Sequence, residues 1–195
     1  MDAQTLSHLS PREYVQLERD TNTKYEYHDG MVYSMAGGTA NHGLVCGNVF
    51  GELRSGLLAK GSRCEVLNSE IKLSIAEGNR YLYPDTMVIC GKIERSPTSI
   101  EAVTNPTLVV EVLSKSTADY DRGDKFFLYR QLPTLQQYVL VEPDRPQVDI
   151  YTRRGDLWHI SRVTNMDELV SFASLGIEVP LSKLYRNIEF SPPAR

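Results

Sequence analysis

The chain has 195 residues, 41% hydrophobic and 24% charged, enough to enclose a substantial core as one domain, 1–195. No apolar run approaches the ~20 residues of a membrane span, and MDAQTLSHLSPREY lacks the basic and apolar regions of a signal peptide, so a cytoplasmic protein without membrane contact is expected. The net charge of −4 argues against non-specific attraction to a polyanion, although Lys115, Arg122, Lys125 and Arg130 leave room for a local basic groove.

LSPREYVQLERD opens with Ser10, Pro11 and Glu13, an N-cap, a first-turn proline and a capping-box acid, which predicts a helix over about 11–20. KYEYHDGMVYSM alternates around Asp29-Gly30 and predicts a hairpin with Tyr25 and Tyr27 on one face and Glu26 and His28 on the other. Apolar residues at 45, 46, 49, 50, 53 and 57 predict a helix from Thr39 to about Lys60, with His42 on its buried side. CEVLNSEIKLSI and YLYPDTMVIC read as a strand pair around AEGNR, with Pro84 marking an edge or an irregularity.

Residues 91–105 read as a polar connection, 107–113 as a strand, and DYDRGDKFFLYRQL, about 119–132, as a helix. QQYVLVE, VDIYTRR and LWHISRV are further strands, and SLGIEVPLSKLY a strand leading into a helical turn. Strand, helix and strand between antiparallel hairpins predict an α/β (α+β) fold, a mixed sheet with helices packed on it. Cys46, Cys64 and Cys90 are widely spaced and odd in number, without a CxxC pair, and read as reduced and mostly buried. Arg153 and Arg154 read as solvated surface charge.

Two carboxylates stand out. Glu111 interrupts the buried strand PTLVVEVL, and an ionised carboxylate taken out of water costs several kcal/mol unless a cation or donors meet it. Asp85 follows a proline inside another strand. If the strands are neighbours the two acids converge, and such an oxygen-rich pair suits Mg²⁺ or Mn²⁺. Lys125, with Tyr129 one turn later on the same face, could stabilise charge beside such an ion.

The series KYEYHDGMVY, ANHGLV, YPDTMVIC, PTLVVEVLSKST, DRGDKFFLYRQL and QQYVLVEP resembles the Uma2 family, also called DUF820, of the PD-(D/E)XK nuclease superfamily. The resemblance runs in order along nearly the whole chain. It implies a restriction endonuclease-like fold, with Asp85 and Glu111 as metal-binding acids, Glu26 as an additional acid and His42 as a pocket residue. The superfamily pattern places a lysine two residues after the glutamate; here Leu113 stands there, and Lys125 resembles the migrated substitute of some members. The family's EYW and final aspartate appear as Gln137-Tyr138-Val139 and Glu142.

The expected function is a metal-dependent endonuclease acting on DNA. Asp85, Glu111 and the Val112 carbonyl would hold Mg²⁺ or Mn²⁺, Lys125 would be catalytic, and Glu26, His42 and Tyr129 accessory. A homodimer is expected, because related nuclease folds pair to cut two strands. The alternative is a nuclease-fold binding or regulatory module with little catalysis.

Overall fold

A computed structural model describes residues 8–35, 37–76, 79–99 and 101–190. The first helix, α1 (Pro11–Thr21), forms where its caps predict: Glu13 N–H donates to Ser10 Oγ (3.3 Å), and Ser10 N–H donates to Glu13 Oε2 (2.7 Å). Left-handed Asn22 (φ 49°) ends it. Strands β1 (Tyr25–His28) and β2 (Met31–Ser34) turn at Asp29 (φ 48°) and Gly30 (φ 97°), the two positive φ values that a tight hairpin requires.

Helix α2 (Ala40–Ala59) is capped by Thr39, whose hydroxyl accepts from His42 N–H (3.2 Å). It buries Val45, Val49, Leu53 and Leu57, a stripe at every fourth residue. The next two strand runs each break in the middle. CEVLNSEIKLSI becomes β3 (Glu65–Asn68) and β4 (Lys72–Ile75), and YLYPDTMVIC becomes β5 (Arg80–Leu82) and β6 (Thr86–Ile89). The outer pair, β3 with β6, lies in one sheet and the inner pair, β4 with β5, in another. The long hairpin therefore crosses between sheets, and Pro84-Asp85 occupies the crossing, the irregularity that the proline predicts.

The remaining elements are β7 (Ala102–Val103), β8 (Leu108–Val112), a helical run of α3 (Ala118–Tyr120), a π-helical turn (Asp121–Lys125) and α4 (Phe126–Tyr129), then β9 (Gln137–Val141), β10 (Val148–Arg154), β11 (Leu157–Val163), β12 (Leu169–Phe172), β13 (Ile177–Pro180) and α5 (Leu181–Leu184). One sheet has five strands in the order β2-β1-β5-β4-β7 and another six in the order β11-β10-β9-β8-β6-β3; β12 and β13 pair separately. Both large sheets are mixed, with β4–β7 and β8–β9 parallel and the other pairs antiparallel. Two short strands escape sequence pattern: β7 has two residues, too few to show a period, and β12 lies in a segment with half-exposed Leu169.

Alternation along β8 decides which side of the six-stranded sheet each residue serves. Leu108, Val110 and Val112 pack with the α2 stripe in one core cluster, while Val109 and Leu113 pack with Leu128, Tyr129 and Tyr138 on the opposite face. Glu111, by parity, faces the second side, toward the helical run. A third cluster, Tyr14, Tyr27, Val32, Tyr81 and Ala102, joins α1 to the five-stranded sheet.

Two expectations need correction. Cys64 and Cys90 form a disulfide (S–S 2.04 Å), leaving Cys46 as the free thiol. They lie just beyond the Glu65–Ile89 pair of β3 and β6, so strand pairing brings together cysteines that are 26 residues apart. Arg153 is not merely solvated: it donates to the carbonyls of Leu135 (2.7 Å), Arg130 (2.7 Å) and Leu132 (2.9 Å) and lies over the Trp158 ring, tying β10 to the segment after α4. No helix among the described residues is long and apolar enough to cross a membrane. Thiol titration of the unfolded protein without reductant should find one thiol per chain and, after reduction, three; three thiols before reduction would contradict the Cys64–Cys90 bond.

Candidate active site

The site forms where the β6–β8 ladder ends. Thr86 pairs with Val110, so the next residues outward, Asp85 and Glu111, stand opposite each other. Pro84 has turned the chain toward the other sheet at this point, which would leave the Val112 N–H without a backbone acceptor. Asp85 Oδ2 accepts it instead (2.8 Å), while Glu111 Oε2 accepts from the Asp85 N–H (3.4 Å). Each carboxylate thus fastens the neighbouring strand's backbone, and both are fixed at one point.

Glu111 finds its compensating partner on the helical run. Lys125 Nζ lies 3.0 Å from Glu111 Oε1, 3.1 Å from Glu26 Oε1 and 3.3 Å from Asp121 Oδ1, and Tyr129 donates to Glu111 Oε1 (2.6 Å). The ammonium also lies 5.8 Å from the Tyr120 ring centroid. Lys125 and Asp121 bracket the π-helical turn, and both are buried. Such a turn widens the helix locally and is common where side chains must be re-aimed. Thr117 Oγ1 donates to Asp121 Oδ2 (2.6 Å), and Tyr138 OH donates to the Asp121 carbonyl (2.9 Å), so the turn is held from both sides.

Glu26 reaches the cluster from β1, its tyrosine neighbours pointing the other way as alternation predicts. Its second oxygen lies 3.6 Å from His28 Nε2, which also meets Tyr120 OH at 3.0 Å. On the far side of Asp85 stands His42, half-buried in the first turn of α2, with Nε2 3.5 Å from Asp85 Oδ2 and Nδ1 3.6 Å from Cys46 Sγ. The structure therefore gathers Asp85, Glu111, Lys125, Glu26, Tyr129, His42 and Val112 into one connected network.

Three carboxylates, Glu111, Glu26 and Asp121, surround Lys125, and a fourth, Asp85, stands beside Glu111. Burial pushes Glu111 up to about 8; Lys125 pulls it down, but the charges of Asp85 and Asp121 add to the rise. Burial likewise raises Asp121 despite Lys125. Burial opposes ionisation of Glu26 too, but Lys125 and His28 outweigh it and hold that carboxyl below its ordinary range. Burial disfavours the Lys125 ammonium, yet Glu111, Glu26 and Asp121 together raise it well above 10.5. Hydrogen bonding to Asp85 raises His42 against the opposing effect of burial. Negative charge thus exceeds what Lys125 can balance, and the strengthened proton binding of Glu111 and His42 works against the difference.

Asp85, Glu111 and the Val112 carbonyl offer oxygen donors alone, which together with the surplus charge fits a hard divalent cation. Leu113, where the superfamily pattern has lysine, is buried in the apolar cluster, and Lys125 occupies the space over Glu111 instead. Glu142 lies outside this cluster, paired with Arg122 (2.5 Å) and Arg145 (2.9 Å). Gln137, also in the departing segment, is buried and accepts from Ser174 N–H (2.9 Å) and Oγ (2.8 Å).

The profile of the Uma2 family, described as "Putative restriction endonuclease", matches residues 11–182. The chain belongs to the Uma2 family. Among its relatives, the uncharacterized protein slr1290 of Synechocystis sp. (strain ATCC 27184 / PCC 6803 / Kazusa) is 38% identical over 183 residues, 93% of this chain and 94% of its own. A second uncharacterized protein of that strain, sll1609, is 36% identical over 171 residues, 87% of this chain and 95% of its own. The crystal structure of a "putative nuclease belonging to DUF820" from Anabaena variabilis ATCC 29413 superposes with a TM-score of 0.72 at 16% identity, covering 91% of this chain and 97% of that one. This Uma2 chain therefore shares the nuclease-type α/β fold.

His28, Tyr120, Tyr138 and Cys46 are neighbours of the network that sequence pattern does not assign to it, whereas Asp121 belongs with Lys125 and Tyr129 to the motif DRGDKFFLYRQL, without a role assigned from it. Cys46 carries a signal in hindsight, since it stands four residues from His42 on its helix. Tyr138 carries none, because its contact depends on the β9 register and the π turn.

The charge balance sets a pH dependence for the metal-free protein. Glu111 and His42 hold protons more tightly folded than unfolded, so their stabilisation is present at low pH and is lost as pH rises, from 4.5 toward 8 for Glu111 and above 6.5 for His42. The shifts of Glu26 and Lys125 act outside this window. In EDTA the urea midpoint should fall between about pH 6 and pH 8, and excess Mg²⁺ or Mn²⁺ should restore it at the upper end. A midpoint that rises with pH, or that is indifferent to the ion, would contradict this balance.

Proposed function

We propose that this Uma2 protein is a metal-dependent endonuclease that hydrolyses phosphodiester bonds in DNA. What carries the reading is the meeting of Asp85 and Glu111, from two adjacent strands, beneath a buried lysine contributed by the following helix. Family membership supports it. A divalent Mg²⁺ or Mn²⁺ held by Asp85, Glu111 and the Val112 carbonyl would polarise the phosphodiester and lower the pKa of an attacking water.

The protein's own groups then have separable tasks. Lys125 keeps its proton at any physiological pH, because three acids face it, and so acts as a fixed positive charge and N–H donor rather than as a base. It orients the attacking water or meets the negative charge that develops on the phosphoryl oxygens. Tyr129 fixes the Glu111 carboxylate by donating to it. Glu26 and Asp121 position Lys125 from opposite elements. His42 orients Asp85 from its far side. Two copies pairing to cut both strands complete the reading.

The purified protein should cleave DNA only with Mg²⁺ or Mn²⁺. Asp85→Ala and Glu111→Ala should fall to background, and Lys125→Ala should lose roughly 10²–10³-fold in rate, the usual cost of removing one preorganised donor to developing charge. Equal cleavage by all four proteins would assign the activity to a contaminant. Mn²⁺ binding that depends on Asp85 but yields no cleavage of any DNA form would favour a binding module instead.

A further inference from the structure

The network holds a second donor set that the oxygen-ligand reading does not use. His42 and Cys46 stand one helical turn apart on α2 and project toward Asp85, and one ligand atom from each of the three lies within 4.8 Å of the other two. The contacts are specific: His42 Nε2 to Asp85 Oδ2 at 3.5 Å, and His42 Nδ1 to Cys46 Sγ at 3.6 Å. Each of the three is partly accessible, so an ion can reach them. Cys46 is the free thiol of the chain, since Cys64 and Cys90 are bonded to each other.

Ligand chemistry distinguishes this set from the neighbouring one. Tetrahedral Zn²⁺, with bonds of ~2.0–2.3 Å to nitrogen, oxygen and sulfur, places its ligand atoms about 3.3–3.8 Å apart. One nitrogen of His42, Cys46 Sγ and an Asp85 oxygen lie within 4.8 Å of one another, so modest side-chain rotation brings the three to that spacing; the 3.5 and 3.6 Å contacts come from opposite ring nitrogens, of which one faces the ion. Sulfur and imidazole favour borderline-soft ions over Mg²⁺, which takes oxygen ligands. Three protein ligands would leave a fourth position open to water.

We propose that His42, Cys46 and Asp85 form a binding site for Zn²⁺ or a similar thiophilic divalent cation, overlapping the Mg²⁺ or Mn²⁺ position through Asp85. Zn²⁺ held there withdraws Asp85 from the oxygen-donor set, so the two kinds of ion compete. The binding of Zn²⁺ stands on the three donors alone; its competition with Mn²⁺ rests on the proposed function.

Co²⁺ serves as a spectroscopic substitute for Zn²⁺ and is added to the unreduced full chain. One equivalent should produce a thiolate-to-cobalt charge-transfer band that Zn²⁺ abolishes, and Zn²⁺ should protect Cys46 of the unmutated protein from alkylation. Cys46→Ser should lose the band, and His42→Ala should weaken Zn²⁺ affinity by at least the roughly 10–100-fold that changes around a metal site cost. Glu111→Gln should retain the band. Absence of the band together with unprotected Cys46 would overturn the proposal, as would a band that survives Cys46→Ser. A band without Mn²⁺-dependent cleavage would leave the zinc site standing and remove the nuclease reading; cleavage without a band would do the reverse.

Discussion

One lysine facing three acids organises this molecule. Lys125 is buried, and its contacts at 3.0–3.3 Å to Glu111, Glu26 and Asp121 join the β8 strand, the β1 hairpin and its own π-helical turn. A buried ammonium is tolerated only where its charge is met, and here three acids lie within ion-pair distance of it. The same arrangement leaves the acids short of positive charge. Asp85 adds to that deficit from the adjacent strand, so the pocket that is stable as a lysine site is also predisposed to a cation.

Several local features serve this meeting point. Pro84 ends one strand pairing and turns the chain into the second sheet, freeing Asp85 to cap the Val112 N–H. The π turn sets Asp121 and Lys125 on the same buried side. The apolar alternation of β8 directs Val110 and Val112 to the α2 core and turns Glu111 to the opposite face. Slipping β8 by one residue would exchange the two faces, putting Glu111 among the valines of the α2 cluster; register and site are therefore one constraint.

Much of this is legible in the sequence. The capping box at Ser10, the Asp29-Gly30 hairpin, the α2 stripe and the β8 run obey local rules and appear where those rules put them. Glu111 is conspicuous because a carboxylate in a buried strand demands a partner, and Pro84-Asp85 because proline interrupts a ladder. Other features depend on tertiary register, which local pattern does not contain. The split of one long hairpin over two sheets, the Cys64–Cys90 bond, the contact of Tyr138 with Asp121 and the π turn within DRGDK belong to that group. Helical spacing marks Cys46 as a residue of the inward face; its place beside His42 and Asp85 depends on how α2 crosses the strand break.

Under the proposed function, a divalent cation entering this pocket would displace protons whose binding burial and neighbouring acids strengthen. The most direct test is calorimetric titration with Mn²⁺ near pH 7 in buffers of different ionisation enthalpy, which counts the protons released per ion. About one proton or more should leave, drawn from Glu111 and His42, and Glu111→Gln should release measurably fewer. Binding of Mn²⁺ with no proton release, or with a release unchanged by Glu111→Gln, would contradict the account.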